Sequence, residues 1–213
     1  MELVSLFIDF ILHLDAHLET FTATYGAWVY ALLFLIVFCE TGLVVTPFLP
    51  GDSLLFVAGT LAAAGGMDIH LMMLLLVIAA VLGDAVNYSI GAHVGPRVFR
   101  EGGRFLKQDH LLKAEAFYEK HGGKTIILAR FMPIIRTYAP FVAGIGRMPY
   151  PRFAMFNVSG ALLWVVSLSY AGYFFGNLPW VKDNLSLVLM GIILLSISPA
   201  IVEFLRARVA RPA

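Results

Sequence analysis

No lysine or arginine precedes Arg97 in this 213-residue chain. All fifteen basic residues lie from Arg97 onward, whereas eight acidic residues come before it. Charge is sparse overall, since 14% of the residues are charged and 60% are hydrophobic. Soluble domains have roughly 25% charged and 45–50% apolar residues. These proportions favour a lipid bilayer over water as the solvent of this chain.

Cysteine and enzyme motifs are also scarce. The single Cys39 lies in an apolar run, which excludes a disulfide framework and a multi-cysteine metal site. The chain contains no Walker loop, no HExxH or GxSxG motif and no dinucleotide fingerprint. We therefore expect a protein that is not an enzyme, with no cofactor, no metal and no nucleic acid partner.

Apolar segments predict an all-α integral membrane protein. Three segments have the roughly 20 apolar residues that a spanning helix needs: residues 70–95, 153–176 and 184–206. Two more, residues 27–66 and 124–148, are interrupted by prolines, which remove a backbone donor and disturb the preceding turn. Freed backbone groups in a membrane must be buried in protein or face water, so we predict a re-entrant helical hairpin for each. The residues expected to break these hairpins are Pro47, Pro50, Gly51, Pro133 and Pro140.

The basic residues predict the orientation of a single membrane domain over residues 1–213. Seven of them lie between residues 97 and 124, and the positive-inside rule assigns this region to the cytoplasm. Three full spans then put the N-terminus outside and the C-terminus inside. Residues 1–23 predict an amphipathic interfacial helix, residues 96–123 a basic loop and surface helix that meets anionic lipids, and residues 207–213 a basic tail.

Two short motifs recur at one spacing. Phe-Val-Ala-Gly at residues 56–59 returns at residues 141–144, and Tyr-x-x-Gly at residues 88–91 returns at residues 173–176, each 85 residues later. Each repeat would comprise a hairpin and a span. Because consecutive spans are antiparallel, the repeats would have inverted topology, which is a plan found in transporters. The alternative is that small residues recur wherever membrane helices pack closely.

Five charged residues lie away from the ends of the first span and of the two interrupted segments. Glu40 and Asp52 belong to the first hairpin, Arg130 and Arg136 to the second, and Asp84 to the first span. An ion in hydrocarbon costs at least ~2.5–3.5 kcal/mol, so we expect these groups to line a polar path, where stacked hairpins bring the acids near the arginines. The planar guanidinium fork suits phosphate oxygens, and a buried carboxyl group can exchange a proton. We predict that all five bind substrate or protons.

Two structural alternatives stay open for these charges. The acid–arginine pairs could merely lock the hairpins together, although buried pairs stabilise less than apolar packing does. Asp52 follows Gly51 and precedes an apolar run, so it could simply cap a helix N-terminus.

Two long segments resemble the DedA family of bacterial inner-membrane proteins. Residues 40–52 contain Glu-Thr-Gly and Pro-Phe-Leu-Pro-Gly-Asp, and residues 120–144 contain Arg-Phe-Met-Pro-Ile-Ile-Arg-Thr-Tyr-Ala-Pro. The resemblance covers nearly the whole chain. It implies a multi-pass protein of the bacterial cytoplasmic membrane, whose domain has two opposed re-entrant hairpins and is shared with eukaryotic lipid scramblases. In that membrane, the outside N-terminus predicted from the basic residues is periplasmic and the C-terminus is cytoplasmic. The positions on which the family relies are matched by Glu40, Asp52, Arg130 and Arg136.

The resemblance also implies a role in returning undecaprenyl phosphate, the cell-wall lipid carrier, across the membrane. We therefore expect a proton-linked flippase of that lipid or a related phospholipid. One alternative is a proton-coupled antiporter of monovalent cations or cationic drugs that uses Glu40 and Asp52, and another is an envelope scaffold without transport. The expected partners are a phosphorylated lipid, protons and anionic membrane lipids, and a homodimer is left open.

Overall fold

The computed structural model describes residues 14–43, 51–98, 122–184, 187–188 and 190–192. All regular structure in these ranges is helical, which confirms the predicted class. The helices are α1 (Leu14–Tyr25), α2 (Trp28–Gly42), α3 (Gly51–Ala63), α4 (Ile69–Val98), α5 (Lys124–Ala129), α6 (Pro133–Ile145), α7 (Tyr150–Phe175) and α8 (Pro179–Asp183). The predictions for residues 1–13, for Pro47 and Pro50, and for most of the basic loop, the last span and the tail lie outside the described residues.

Two of the described helices are long and apolar enough to cross a membrane. They are Ile69–Val94 within α4 and Tyr150–Phe175, with 26 residues each. At 1.5 Å per residue, each extends about 39 Å, which exceeds the ~30 Å of a hydrocarbon core. α4 begins after Asp68, whose Oδ1 accepts a hydrogen bond from the Leu71 amide at 2.7 Å and so caps the helix.

Both proline-interrupted segments contain two separate helices. α2 ends at Gly42 and α3 begins at Gly51. In the second segment, α5 ends at Ala129 and Met132 is extended (φ −120°, ψ 101°) before α6 begins at Pro133. Proline fits the first position of a helix because the N–H group at that position has no partner within the helix, so its absence removes no bond.

The chain divides into two compact units. Unit 1 comprises Met1–Ile36, Pro50–Leu76 and Val165–Ala213, and unit 2 comprises Val37–Leu49 and Val77–Trp164. The single membrane domain over residues 1–213 stays a prediction.

In unit 1, α3 packs against the last part of α7 through glycines. A Cβ on Gly59 would overlap the Ser169 carbonyl, and a Cβ on Gly172 would overlap the Phe56 carbonyl. Thr60 Oγ1 also donates a hydrogen bond to the Gly172 carbonyl at 3.3 Å. Glycine is therefore required for the two backbones to come this close.

In unit 2, α6 packs against α4 in the same manner. A Cβ on Gly144 would overlap the Tyr88 carbonyl, and a Cβ on Gly91 would overlap the Phe141 carbonyl. The Tyr88 ring stacks on Phe153 with centroids 4.4 Å apart. An apolar cluster that includes residues of α5, α6 and α7 surrounds this contact.

α3 and α6 also end in the same turn. After α3, Gly65 has a positive φ of 86°, and the amide of Gly66 donates back into the helix at 2.9 Å. After α6, Arg147 takes the same position with a φ of 47°, and the amide of Met148 donates back at 3.0 Å. This is the Schellman arrangement, in which glycine is the usual residue because a Cβ disfavours positive φ.

Candidate functional site

Glu40 lies near the end of the apolar helix α2 and is fully buried. Its carboxylate forms an ion pair with Arg136 of α6, which is 7% exposed. The hydroxyl of the next residue, Thr41, donates to the Val37 carbonyl of the same helix at 2.9 Å. Unit 2 therefore joins the first interrupted segment to the second through a buried ion pair, as we expected for Glu40.

Arg130 has a different partner from the one that we expected. It caps the C-terminus of α5, and its Nη2 forms an ion pair with Asp84 of α4 rather than with an acid of the first hairpin. The same nitrogen donates to Asn157 Oδ1 at 2.6 Å, and Asn157 Nδ2 donates to the Val81 carbonyl at 3.1 Å. Asp84 is thus a full member of the charged cluster.

The break before Pro133 lets both arginines line one cavity. Arg130 and Arg136 are six positions apart, which would put them on different faces of a continuous helix. Here their guanidinium carbons lie 5.8 Å and 5.0 Å from the centroid of the buried Trp164 ring. The face of an indole attracts cations at this range, so Trp164 stabilises both arginines.

The cavity is small and mixed in character. Its volume is about 10 Å³, which is roughly the room that one water needs. It is lined by Thr41, Asp84, Ile126, Arg130, Arg136, Ala139, Pro140 and Trp164. The formal charges of Glu40, Asp84, Arg130 and Arg136 cancel, so these four groups together carry no net charge when all are ionised.

Asn87 holds the backbone around the cluster. It is fully buried in α4, and its Nδ2 donates to the Thr41 carbonyl at 3.1 Å and to the Thr137 carbonyl at 2.8 Å. Sequence reasoning missed Asn87, Asn157 and Trp164 as members of the site. A signal was present for Asn87, because it follows Asp84 by three residues and so shares a helix face with it.

Asp52 belongs to unit 1, so its predicted place beside the arginines stays a prediction. It is 9% exposed and lies in the first turn of α3. A carboxylate there meets the positive end of the helix dipole. Gly51 is the first residue of this helix.

Within the described ranges, no group of three His, Cys, Asp or Glu side chains could hold a metal ion.

Comparison with known proteins identifies the family. The model of the VTT domain matches residues 49–174. Protein DedA of Escherichia coli (strain K12) is 59% identical over 209 residues, which cover 97% of this chain and 95% of that protein. The chain belongs to the DedA family.

Other relatives are named for their membrane location. An uncharacterized membrane protein of Mycobacterium leprae (strain TN) is 46% identical over 168 residues, or 78% of this chain and 75% of that protein. Inner membrane protein YqjA of Escherichia coli (strain K12) is 38% identical over 151 residues, or 70% of this chain and 69% of that protein. No solved structure matches the chain. With its two long apolar helices, this is a membrane protein of the DedA family.

Proposed function

We propose that this protein is a proton-linked flippase of a polyprenyl phosphate, such as undecaprenyl phosphate, or of a related phospholipid. One observation carries the proposal: two buried arginines, each ion-paired with a buried acid, line the same cavity. Removing such a pair in favour of apolar residues is often neutral or stabilising. Two pairs in one place therefore favour a function over a purely structural role.

The arginines suit a phosphate headgroup. Each guanidinium can donate two parallel hydrogen bonds to phosphate oxygens, and the two guanidinium groups lie 5.8 Å and 5.0 Å from the centroid of the Trp164 ring, which also lines the cavity. Arg130 Nη1 is buried and has no hydrogen-bond partner within the described ranges. Such a donor favours an acceptor that arrives from outside the protein.

The acids provide the link to protons. While Glu40 and Asp84 are ionised, each neutralises one arginine, and an incoming phosphate must compete with them. Protonation of either carboxyl group frees an arginine for the phosphate. Moving a negative charge to the inside of the cell works against ~2.3 kcal/mol per 100 mV. Protons that travel with the headgroup would cancel this cost.

A cavity of about 10 Å³ admits a water but not a phosphate, so binding of the headgroup would require the cavity to open. We propose that the two interrupted segments are re-entrant hairpins. Each hairpin and one span would form a repeat, and the two repeats would have inverted topology. The breaks in both segments and the matching glycine contacts in the two units support this. Opening would then move one hairpin against its span, in a cytoplasmic membrane with the N-terminus periplasmic and the C-terminus cytoplasmic.

The test is inward flipping of a labelled polyprenyl phosphate in proteoliposomes, with and without a pH gradient. Wild-type protein should flip the lipid faster when the gradient is imposed. Glu40→Gln and Asp84→Asn should lose this response, whereas Asp68→Asn should keep it because Asp68 is an exposed acid that only caps the helix of Asp84.

Three results would contradict the proposal in different ways. Flipping that responds to neither gradient nor potential would make the protein a scramblase without proton coupling. Proton-driven exchange of monovalent cations or cationic drugs without lipid movement would support the antiporter alternative. Folded wild-type protein that moves neither would support the scaffold alternative.

A further inference from the structure

Asn87 bonds to the two backbone positions that directly follow Glu40 and Arg136, one of the two ion pairs of unit 2. Thr41 is the residue after Glu40, and Thr137 is the residue after Arg136. The Asn87 amide donates one hydrogen to each of their carbonyls, at 3.1 Å and 2.8 Å. A single side chain of α4 therefore connects the end of α2 to the start of α6.

Each carbonyl lies at or next to a position where its helix lacks an internal bond. Thr41 is in the last turn of α2, where the final four carbonyls have no partner within the helix. α6 contains Pro140, whose missing amide cannot bond to the Arg136 carbonyl next to Thr137. The helix is thus weakened beside the residue that Asn87 holds.

The orientation of the amide follows from its contacts. A rotated amide would place Oδ1 against two carbonyl oxygens, which repel it, so Nδ2 must face them. Oδ1 is then buried without a hydrogen-bond partner in the described part of the chain. An unpaired buried acceptor is unfavourable, so the two bonds that Nδ2 donates must outweigh this cost.

We propose that Asn87 is a positioning residue that sets the distance between Glu40 and Arg136 by fixing the backbone beside each of them. The role of that distance in transport rests on the proposed function, but the positioning itself does not. Asn157 has a different role, because its Oδ1 accepts a hydrogen bond directly from the guanidinium group of Arg130.

The distance between α2 and α6 can be measured with two spin labels. Leu43 and Tyr138 are exposed and follow the two bonded carbonyls closely, so Leu43→Cys and Tyr138→Cys in a Cys39→Ala background report it. With Asn87 present, we expect one narrow distance distribution. Asn87→Leu keeps the approximate size but has no donor, and we expect the distribution to broaden and flipping to fall at least tenfold.

Asn87→Gln separates positioning from the simple satisfaction of two carbonyls. It keeps both hydrogens but moves the amide by roughly 1.5 Å, so no carbonyl needs to lose its bond. We expect this variant to fold, to shift the mean distance between the labels and to reduce flipping. It also keeps the proposal testable if Asn87→Leu does not fold.

Asn177→Leu is the matched control, because Asn177 Nδ2 donates to the Thr60 carbonyl of unit 1 at 3.2 Å. This variant should leave the distribution between labels 43 and 138 unchanged. An unchanged distribution in folded Asn87→Leu or Asn87→Gln would overturn the positioning role, whatever happens to flipping. A changed distribution in a protein whose wild type flips no lipid would keep the positioning role and reject the proposed function.

Discussion

The two compact units contain the same helix contact but different polar groups. In unit 1, α3 meets α7 at Gly59 and Gly172, and Thr60 adds a hydroxyl bond to a carbonyl. In unit 2, α6 meets α4 at Gly144 and Gly91. Unit 2 also contains two buried ion pairs, two buried asparagines and a tryptophan that contacts both arginines.

This difference separates what the helices need in order to pack from what the site adds. A hydroxyl bond and close glycine contacts suffice to join helices in a membrane, where close packing and hydrogen bonds drive association. The charges of unit 2 are an addition to that contact. We infer that they are kept for transport, and the following changes test this by treating the two units in parallel.

The largest effect is expected from Arg130→Ala. The change leaves Asp84 buried without its ion-pair partner, which should reduce the free energy of unfolding by about 3–5 kcal/mol. In unit 1, Thr60→Val removes a hydroxyl that donates to the Phe56 and Gly172 carbonyls, without exposing a buried charge, and should cost about 1 kcal/mol. Unfolding in detergent, monitored by intrinsic fluorescence, measures both.

A double variant distinguishes stability from function at the same pair. Arg130→Met with Asp84→Asn removes both charges, so most of the lost stability should return while flipping stays absent. If Arg130→Ala unfolds no more easily than Thr60→Val, the pair is not truly buried. Full flipping by the double variant would show that this pair is only structural.

Arg136→Lys should reduce flipping at least tenfold while the protein still folds. Lysine keeps the positive charge near Glu40 but lacks the planar fork that binds two phosphate oxygens at once. Arg147→Lys, at the exposed turn after α6, should flip lipid like the wild type. Normal flipping by Arg136→Lys, measured per folded protein in proteoliposomes, would reject the two-bond phosphate contact.

Gly59→Ala and Gly144→Ala should destabilise the protein to a similar extent, by about 1–3 kcal/mol each. In both cases the added methyl group meets a backbone carbonyl, of Ser169 or of Tyr88, that cannot rotate away. Gly191→Ala is the control, because a Cβ there meets nothing within 4 Å among the described residues. A large loss of stability in only one of the two variants would show that the helix contacts of the two units are not equivalent.

The smallest effect is expected at the turns that end α3 and α6. Arg147→Gly should stabilise the protein by about 1 kcal/mol, since Arg147 has a positive φ that glycine adopts without strain. Gly65→Ala should destabilise it by a similar amount. Opposite shifts of the unfolding temperature would confirm that the two turns are equivalent.

The helix breaks and the buried charged residues could be predicted from the sequence because each depends only on the residue itself and its neighbours along the chain. Pro133 can start a helix but not continue one, and a charge in an apolar run needs a partner wherever it lies. The identity of that partner is not local. Arg130 was expected beside an acid of the first hairpin, and only the three-dimensional contacts show Asp84 in that place.

The alignment of one span with the other in the proposed repeat could not be predicted from the sequence either. The motif match paired Tyr88 with Tyr173, whereas Tyr88 and Ser169 occupy the same position against Gly144 and Gly59. The two alignments of the span differ by four residues, close to one helical turn. A shift by one turn keeps the same helix face, so side-chain patterns alone do not distinguish the two.

The central claim is that protons on Glu40 and Asp84 free the arginines for a phosphate. Proton uptake during lipid binding tests it most directly. Calorimetric titration of detergent-solubilised protein with a short-chain polyprenyl phosphate, repeated in buffers of different ionisation enthalpy, measures that uptake. We predict net proton uptake by the wild type, a smaller uptake by Glu40→Gln and by Asp84→Asn, and none by the double variant. Tight binding by the wild type with no proton uptake at any pH would contradict the claim.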